Sequence, residues 1–151
     1  MKVIIVGPDG AGKTSLAKYF EKQGFKYVKR DKPKNDREKQ DMLNMYIMQA
    51  NLKGDYVYDR FAYCEAVYGP IMRDKSVITD EMLRFLEKDL QDAIIIHATD
   101  TLDNLWNRCQ LRGEDYIMDK ETLGLIREKY YEVLSKASIP VIEYVIGKSM
   151  F

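Results

Sequence analysis

The sequence is poor in the residues that several functional classes depend on. Only two cysteines occur, Cys64 and Cys109, far apart and with no metal-ligand spacing around either. They read as free, buried thiols in a reducing cytosol rather than as a disulfide or a metal site. Neither sign of charge is in excess: Lys plus Arg and Asp plus Glu stand at 24 each. No global field therefore draws the chain to nucleic acid or to an anionic membrane. No apolar run approaches the ~20 residues of a membrane span, and the opening MKVIIVG is too short for a signal peptide. A cytoplasmic protein without a membrane partner is expected. Repeats, low-complexity tracts and interdomain linkers are missing too, and 151 residues, 46% of them hydrophobic, suit one domain with a real core.

What is present is an alternation of apolar strands and amphipathic helices. Lys2 to Val6 is a short β-branched run ending abruptly at Gly7, which predicts a buried strand entering a turn. From Lys13 the period becomes helical, with Leu16, Ala17 and Phe20 on one face and Gly24 at the C-terminal cap position. Phe25 to Arg30 predicts a second strand. Asn35 with Glu38 forms a capping-box pattern for one helix reaching about Leu52, its inner face carrying Met42, Met45, Tyr46 and Gln49. Tyr56 to Tyr58, ending at Asp59, predict a third strand, and Phe61 to Tyr68 a helix stopped by Gly69-Pro70, with Ile71 to Ile78 as loop. Thr79 caps a helix bearing Met82, Leu83, Leu86 and Leu90, and Ala93 to His97 give a fourth strand. Thr101 caps a further helix with Leu102, Leu105, Trp106 and Cys109 inward. Asp119 begins the last helix, with Leu123, Ile126, Tyr130, Val133 and Ala137 inside, and Ile139 to Ile146 form a fifth strand. This order predicts an α/β fold: a five-stranded parallel sheet with helices on both faces and ligands at the strands' C-terminal ends.

The first loop carries the chemistry. GPDGAGKT, Gly7 to Thr14, satisfies G-x-x-x-x-G-K-[ST] between a predicted strand and a predicted helix, the context its mechanism demands. Its glycines let the backbone curl so that loop N–H groups and the first helical turn converge on phosphate oxygens, near the positive end of the helix dipole. The expected cradle is Gly7, Asp9, Gly10, Ala11, Gly12, Lys13, Thr14 and Ser15. Lys13 can neutralise the β- and γ-phosphates, and the Thr14 hydroxyl is placed for Mg²⁺ bridging the same phosphates of ATP. ATP and Mg²⁺ are the expected cofactors, in a three-layer P-loop NTPase fold.

These residues resemble the thymidylate kinase family, whose phosphate loop carries an acidic residue two positions after its first glycine, here Asp9. DRFAYCEAVYG, Asp59 to Gly69, is similar to that family's D-R-[YH]-x-x-S-x-x-A-Y-Q at Asp59, Arg60 and Tyr68, with near matches at Phe61, Cys64 and Val67. NRCQLRGEDY, Asn107 to Tyr116, looks like its arginine-bearing lid, placed at about residues 108–118. The resemblance runs from Met1 to about Tyr144. It implies that Asp9 holds the 3′-hydroxyl of an acceptor deoxyribose and that Asp59 orients Mg²⁺ together with Thr14. It further implies that Arg60 grips the acceptor phosphate and that Phe61 and Tyr68 wall the acceptor pocket. Arg30-Asp31-Lys32-Pro33 stands where the family has R-E-P-G, implying acceptor contacts for Arg30 and Asp31. The phosphate loop holds no arginine, so Arg108 and Arg112, on one helix face, would close on the transferring group and stabilise it with Lys13 and Arg60. A homodimer is implied in the same way. Simpler assignments stand beside these: Asp9 as a turn residue, Asp59-Arg60 as a surface pair and the lid arginines as a solvated basic face. His97, the single histidine, lies at a strand end near the ligand edge and suits either a nucleotide contact or plain packing.

Three functions stay open on this basis. The first is a deoxynucleoside monophosphate kinase with a dTMP-like acceptor, whose ionised phosphate needs no general base. The second is a kinase acting on a hydroxyl, of a deoxynucleoside or of a modified base in DNA, for which Asp31 could take the proton. Balanced charge weighs against a nucleic-acid partner. The third is an ATP-hydrolysing switch with no acceptor, against which the Asp59-Arg60 motif and the lid arginines both speak.

Overall fold

The computed structural model describes residues 1–29, 35–112 and 119–147. Its strands are β1 (Lys2–Val6), β2 (Lys26–Lys29), β3 (Tyr56–Asp59), β4 (Ala93–Thr99) and β5 (Val141–Val145). They form one sheet in the order β2-β3-β1-β4-β5, and every neighbouring pair is parallel. Central β1 has Val3, Ile4, Ile5 and Val6 at most 1% exposed, as a run that is apolar on both faces requires. The helices among the described residues are α1 (Lys13–Lys22), α2 (Asp36–Gln40), α3 (Met42–Ala50), α4 (Ala62–Arg73), α5 (Asp80–Asp89), α6 (Leu102–Arg112) and α7 (Lys120–Leu134). α1 packs over β1, β2 and β3. On the opposite face α4 packs on α7, whose Tyr130 and Tyr131 meet His97 of β4. The result is the expected three-layer α/β arrangement.

The predicted caps hold their helices. Thr79 Oγ1 accepts from the Met82 N–H at 3.2 Å, Thr101 Oγ1 from Asn104 at 3.2 Å, and Asp119 Oδ1 from Thr122 at 2.7 Å. α7 stops at Leu134, so Ala137 lies past its end, and β4 continues to Thr99 because Ala98 and Thr99 still pair with Tyr144 and Val145.

Two helices depart from expectation. The single helix expected up to Leu52 is two, with Asp41 as a turn between α2 and α3, and the buried positions are Met42, Tyr46 and Ala50. Gly69-Pro70 does not stop α4, which runs on to Arg73. Proline forfeits one backbone hydrogen bond there, but tertiary contacts hold the extra turn. Arg73 ion-pairs with buried Glu65, and a Cβ on Gly69 would lie 2.8 Å from the Ser76 Cα, so glycine is what lets the following loop fold back on the helix. The helix ends one residue later at Asp74, which adopts φ 64°.

A buried carboxylate ties this half of the molecule together. Glu87 of α5 is 4% exposed and accepts from the Tyr63 hydroxyl at 2.7 Å, Arg84 Nε at 2.6 Å and the Ser138 hydroxyl at 2.9 Å. It thereby joins α4, α5 and the turn before β5.

Candidate active site

The loop from Gly7 to Gly12 leaves the C-terminal end of β1 and folds back to start α1. A Cβ on Gly7 would sit 1.9 Å from the Ala98 carbonyl oxygen, so the first motif glycine is demanded by the packing of β4 as well as by any ligand. Gly10, at φ 83°, would likewise place a Cβ 2.6 Å from the Leu105 carbonyl oxygen of α6. Ala11 is fully buried and Ser15 is exposed on the first turn of α1. The N–H groups of that turn have no carbonyl within the helix to bond. Lys13 is 7% exposed, and its ammonium donates to the carbonyl oxygens of Gly7 at 2.7 Å and Pro8 at 2.9 Å. Burial pushes its pKa down and the Arg60 guanidinium adds to this, while Asp9 and Asp59 oppose it.

Next to β1, strand β3 ends at Asp59, in register with Ile5 and completely buried. Its Oδ2 accepts from the Thr14 hydroxyl at 2.9 Å and from the Tyr27 hydroxyl at 2.6 Å. Its Oδ1 is buried and accepts from no described residue. A buried carboxylate oxygen without a donor is costly, and its place beside Thr14 fits a hydrated divalent cation, which takes one or two carboxylates plus phosphates and water. Arg60 follows with φ 81°, its N–H donating to the Ile5 carbonyl at 3.0 Å. A left-handed arginine costs about 1–3 kcal/mol, a strain that clusters at functional sites.

The carboxylate of Asp9, 6% exposed, stands on the other side of the loop. Its Oδ1 accepts from the Tyr68 hydroxyl at 3.2 Å, and its Oδ2 is a second buried oxygen with no described partner. Burial, and then the Asp9 charge, push the Tyr68 phenol well up, so it remains a neutral donor. Arg60 lies within electrostatic reach of Asp9, Cys64 and Tyr68. Phe61 is 1% exposed, packed among Tyr46, Tyr58 and Tyr63 with ring centroids 5.1, 5.5 and 6.2 Å away.

The two arginines expected in a lid have different settings. Arg108 donates to the Gly10 carbonyl at 2.6 Å and ion-pairs with Asp100, so it clamps the phosphate loop to α6. Although burial opposes it, hydrogen bonds from Asn104, Thr101 and Arg108 hold the Asp100 carboxyl below the usual range. Arg112 is exposed in the last turn of α6. Arg30, Asp31 and the lid residues 113–118 lie outside the described residues. Tyr27 and Asp100 were not singled out by sequence. Tyr27 shares Asp59's face because β2 and β3 pair Lys29 with Asp59, a signal readable only once the register is known.

His97 is a packed residue, 3% exposed, with its ring 4.9 Å from that of Tyr131. Burial lowers its pKa to about 4, Arg127 and Lys13 adding to this and Glu143 opposing. The folded value lies below the unfolded value of 6.5, so the unfolded chain binds the proton first as pH falls. This contribution to stability is intact above pH 6.5 and is lost progressively down to about pH 4. It amounts to about 3 kcal/mol. Urea unfolding across that range is expected to show His97→Gln losing less stability with acidification than the parent chain. Parallel curves would contradict the assignment.

No protein-family model matches the chain. It is 26% identical over 151 residues to the SPbeta prophage-derived protein YorR of Bacillus subtilis strain 168, covering 97% of this chain and 89% of the relative. The crystal structure of YorR in complex with phosphorylated GDP superposes with a TM-score of 0.83 at 23% identity, over 98% of this chain and 87% of that one. The deoxyadenosine kinase of M. mycoides with dCMP and dCDP bound gives 0.66 at 16% identity, over 99% and 92%. The same enzyme with dATP gives 0.62 at 16% identity, over 99% and 93%. The chain therefore has a P-loop nucleotide kinase-like fold. Among the described residues no helix is long and apolar enough to cross a membrane.

Proposed function

We propose that the chain is a kinase that transfers the γ-phosphoryl group of Mg·ATP to a deoxynucleoside monophosphate. The observation that carries this is the pairing of two polar clusters at one end of the sheet. Lys13, Thr14 and Asp59 form the first, and the buried Asp9–Tyr68 pair with Arg60 forms the second. A nucleotide hydrolase needs only the first.

In this reading the loop N–H groups take the donor phosphates, and Lys13 exchanges the Gly7 and Pro8 carbonyls for β- and γ-oxygens. Thr14 and Asp59 would hold Mg²⁺, which would supply charge neutralisation during the transfer. Asp9 Oδ2, with Tyr68 fixing the other oxygen, accepts from the sugar 3′-hydroxyl. Arg60 grips the acceptor phosphate bidentately. An oxygen of that phosphate, already ionised, bonds to the γ-phosphorus as the bond to the bridging oxygen of ADP breaks. Arg108 holds the loop in shape through Gly10, and Arg112, exposed in the last turn of α6, is proposed to add positive charge at the transferring group. A dTMP-like pyrimidine is the acceptor suggested by the motif resemblance.

A second reading has its own support. The structural neighbours include a deoxyadenosine kinase, so the acceptor could be the hydroxyl of a deoxynucleoside, with a carboxylate as proton acceptor. Asp9 favours the first reading, in which its free oxygen takes the acceptor sugar. Asp9→Ala is expected to raise the KM for the acceptor roughly tenfold or more, by loss of a hydrogen bond to a buried charge, and to leave the KM for ATP nearly unchanged. An equal loss for both substrates would refute the assignment.

A further inference from the structure

We infer that Tyr27 is a positioning residue that fixes the Asp59 carboxylate so that one chosen oxygen faces the metal. The inference rests on the Mg²⁺-dependent reading above. β2 is an edge strand, and its register with β3 sets Tyr27 opposite Val57 and Lys29 opposite Asp59. Alternation therefore puts Tyr27 and Asp59 on the same face of the sheet, the face that carries Thr14 at the start of α1. The phenol spans the two-residue offset, and its hydroxyl meets Asp59 Oδ2 at 2.6 Å.

Both donors, Thr14 and Tyr27, address the same oxygen, and Oδ1 is left buried without a described partner. A carboxylate held at one oxygen by two donors cannot rotate to exchange its oxygens without losing both bonds. Asp59 is completely buried, so water does not readily replace a missing donor. The two donors differ in what binding asks of them. Thr14 is also the expected metal ligand, so its hydroxyl serves two partners at once. Tyr27 has no such second task and holds Oδ2 in either state. Residues of this kind, one step behind the ligands, set metal affinity through orientation.

The test uses the full chain, ADP, and Mn²⁺ as the probe of the metal site. Mn²⁺ binding is followed by electron paramagnetic resonance with ADP present, and ADP binding by calorimetry in EDTA. Tyr27→Phe keeps the ring and removes only the hydroxyl. It is expected to weaken Mn²⁺ binding to the ADP complex roughly tenfold. ADP affinity in EDTA is expected to stay near the parent value, and the melting temperature in EDTA to fall because a buried carboxylate loses one donor, so the Mn²⁺ affinity of the folded protein is the readout that a merely structural role would not move. Unchanged Mn²⁺ affinity would overturn the inference, as would an equal loss of ADP affinity in EDTA. A parent complex that binds Mn²⁺ no tighter than ADP alone would overturn it together with the metal assignment. Intact Mn²⁺ binding without phosphorylation of any acceptor would instead overturn the proposed function and leave the role of Tyr27 standing.

Discussion

Lys13→Met is expected to lower phosphoryl transfer about 10²–10³-fold while the chain remains folded. The lysine is buried, and that burial already works against its charge. Replacing it by an apolar side chain of similar length relieves that desolvation and leaves two loop carbonyls, Gly7 and Pro8, short of a donor. These opposing effects on stability are each of the order of a few kcal/mol, so the net change is small. The effect on the rate has no such compensation. The donor phosphates would develop charge during transfer in a site whose only loop cation is Lys13, since the loop contains no arginine. Steady-state kcat with saturating Mg·ATP, beside a circular dichroism melt, checks both halves. A variant with a near parental rate would remove Lys13 from the site.

Glu87→Ala tests the buried junction of α4, α5 and the turn before β5, and its expected effect falls on stability. The substitution strands the Tyr63 hydroxyl, 1% exposed at the residue level, together with Arg84 and Ser138. Breaking a buried, hydrogen-bonded charge costs about 3–5 kcal/mol. The Arg84 side chain is 31% exposed and can rehydrate, which brings the expectation to the lower end, about 3 kcal/mol. That is a large share of the roughly 5–15 kcal/mol available to a domain and corresponds to a drop of roughly 6–12 °C in Tm. Turnover well below that transition is expected to be near the parental value, because Glu87 touches none of the loop, Asp59 or Asp9. An unchanged Tm would show that the carboxylate is dispensable.

Much of this molecule could be read before its structure was known, wherever the determining contacts are local. The strands appear as apolar runs bounded by glycine or polar residues, and β1 was visible because both of its faces are buried. The phosphate loop is contiguous, so its motif names its own residues. Helix starts at Thr79, Thr101 and Asp119 depend on a bond three residues away, and each formed as expected. Failures came where distant parts of the chain decide. Pro70 signalled an end to α4, yet the ion pair of Arg73 with Glu65 and the loop folding onto Gly69 carried the helix one turn further. The spacing of Arg108 and Arg112 predicts one shared role, yet Gly10, 98 positions from Arg108 in the chain, engages only the first of them in the described contacts. Phe61 stands at a nearly matched motif position, but whether its ring faces a pocket or the core depends on Tyr46 and Tyr58. Tyr27 carried no signal because its partner is fixed by strand register.

The neighbours sharpen one point and leave one choice to chemistry. They show the fold, while in the proposed reading the identity of the acceptor depends on what binds against Asp9, Tyr68 and Arg60. The most direct measurement is to supply γ-labelled Mg·ATP with each deoxynucleoside monophosphate and each deoxynucleoside in turn and to follow the label. Label in a deoxynucleoside diphosphate, formed only when a monophosphate is present, is the predicted result. Label released solely as inorganic phosphate, at a rate indifferent to every acceptor, would contradict a two-substrate kinase. Label appearing only in products of the nucleosides would move the acceptor to a hydroxyl.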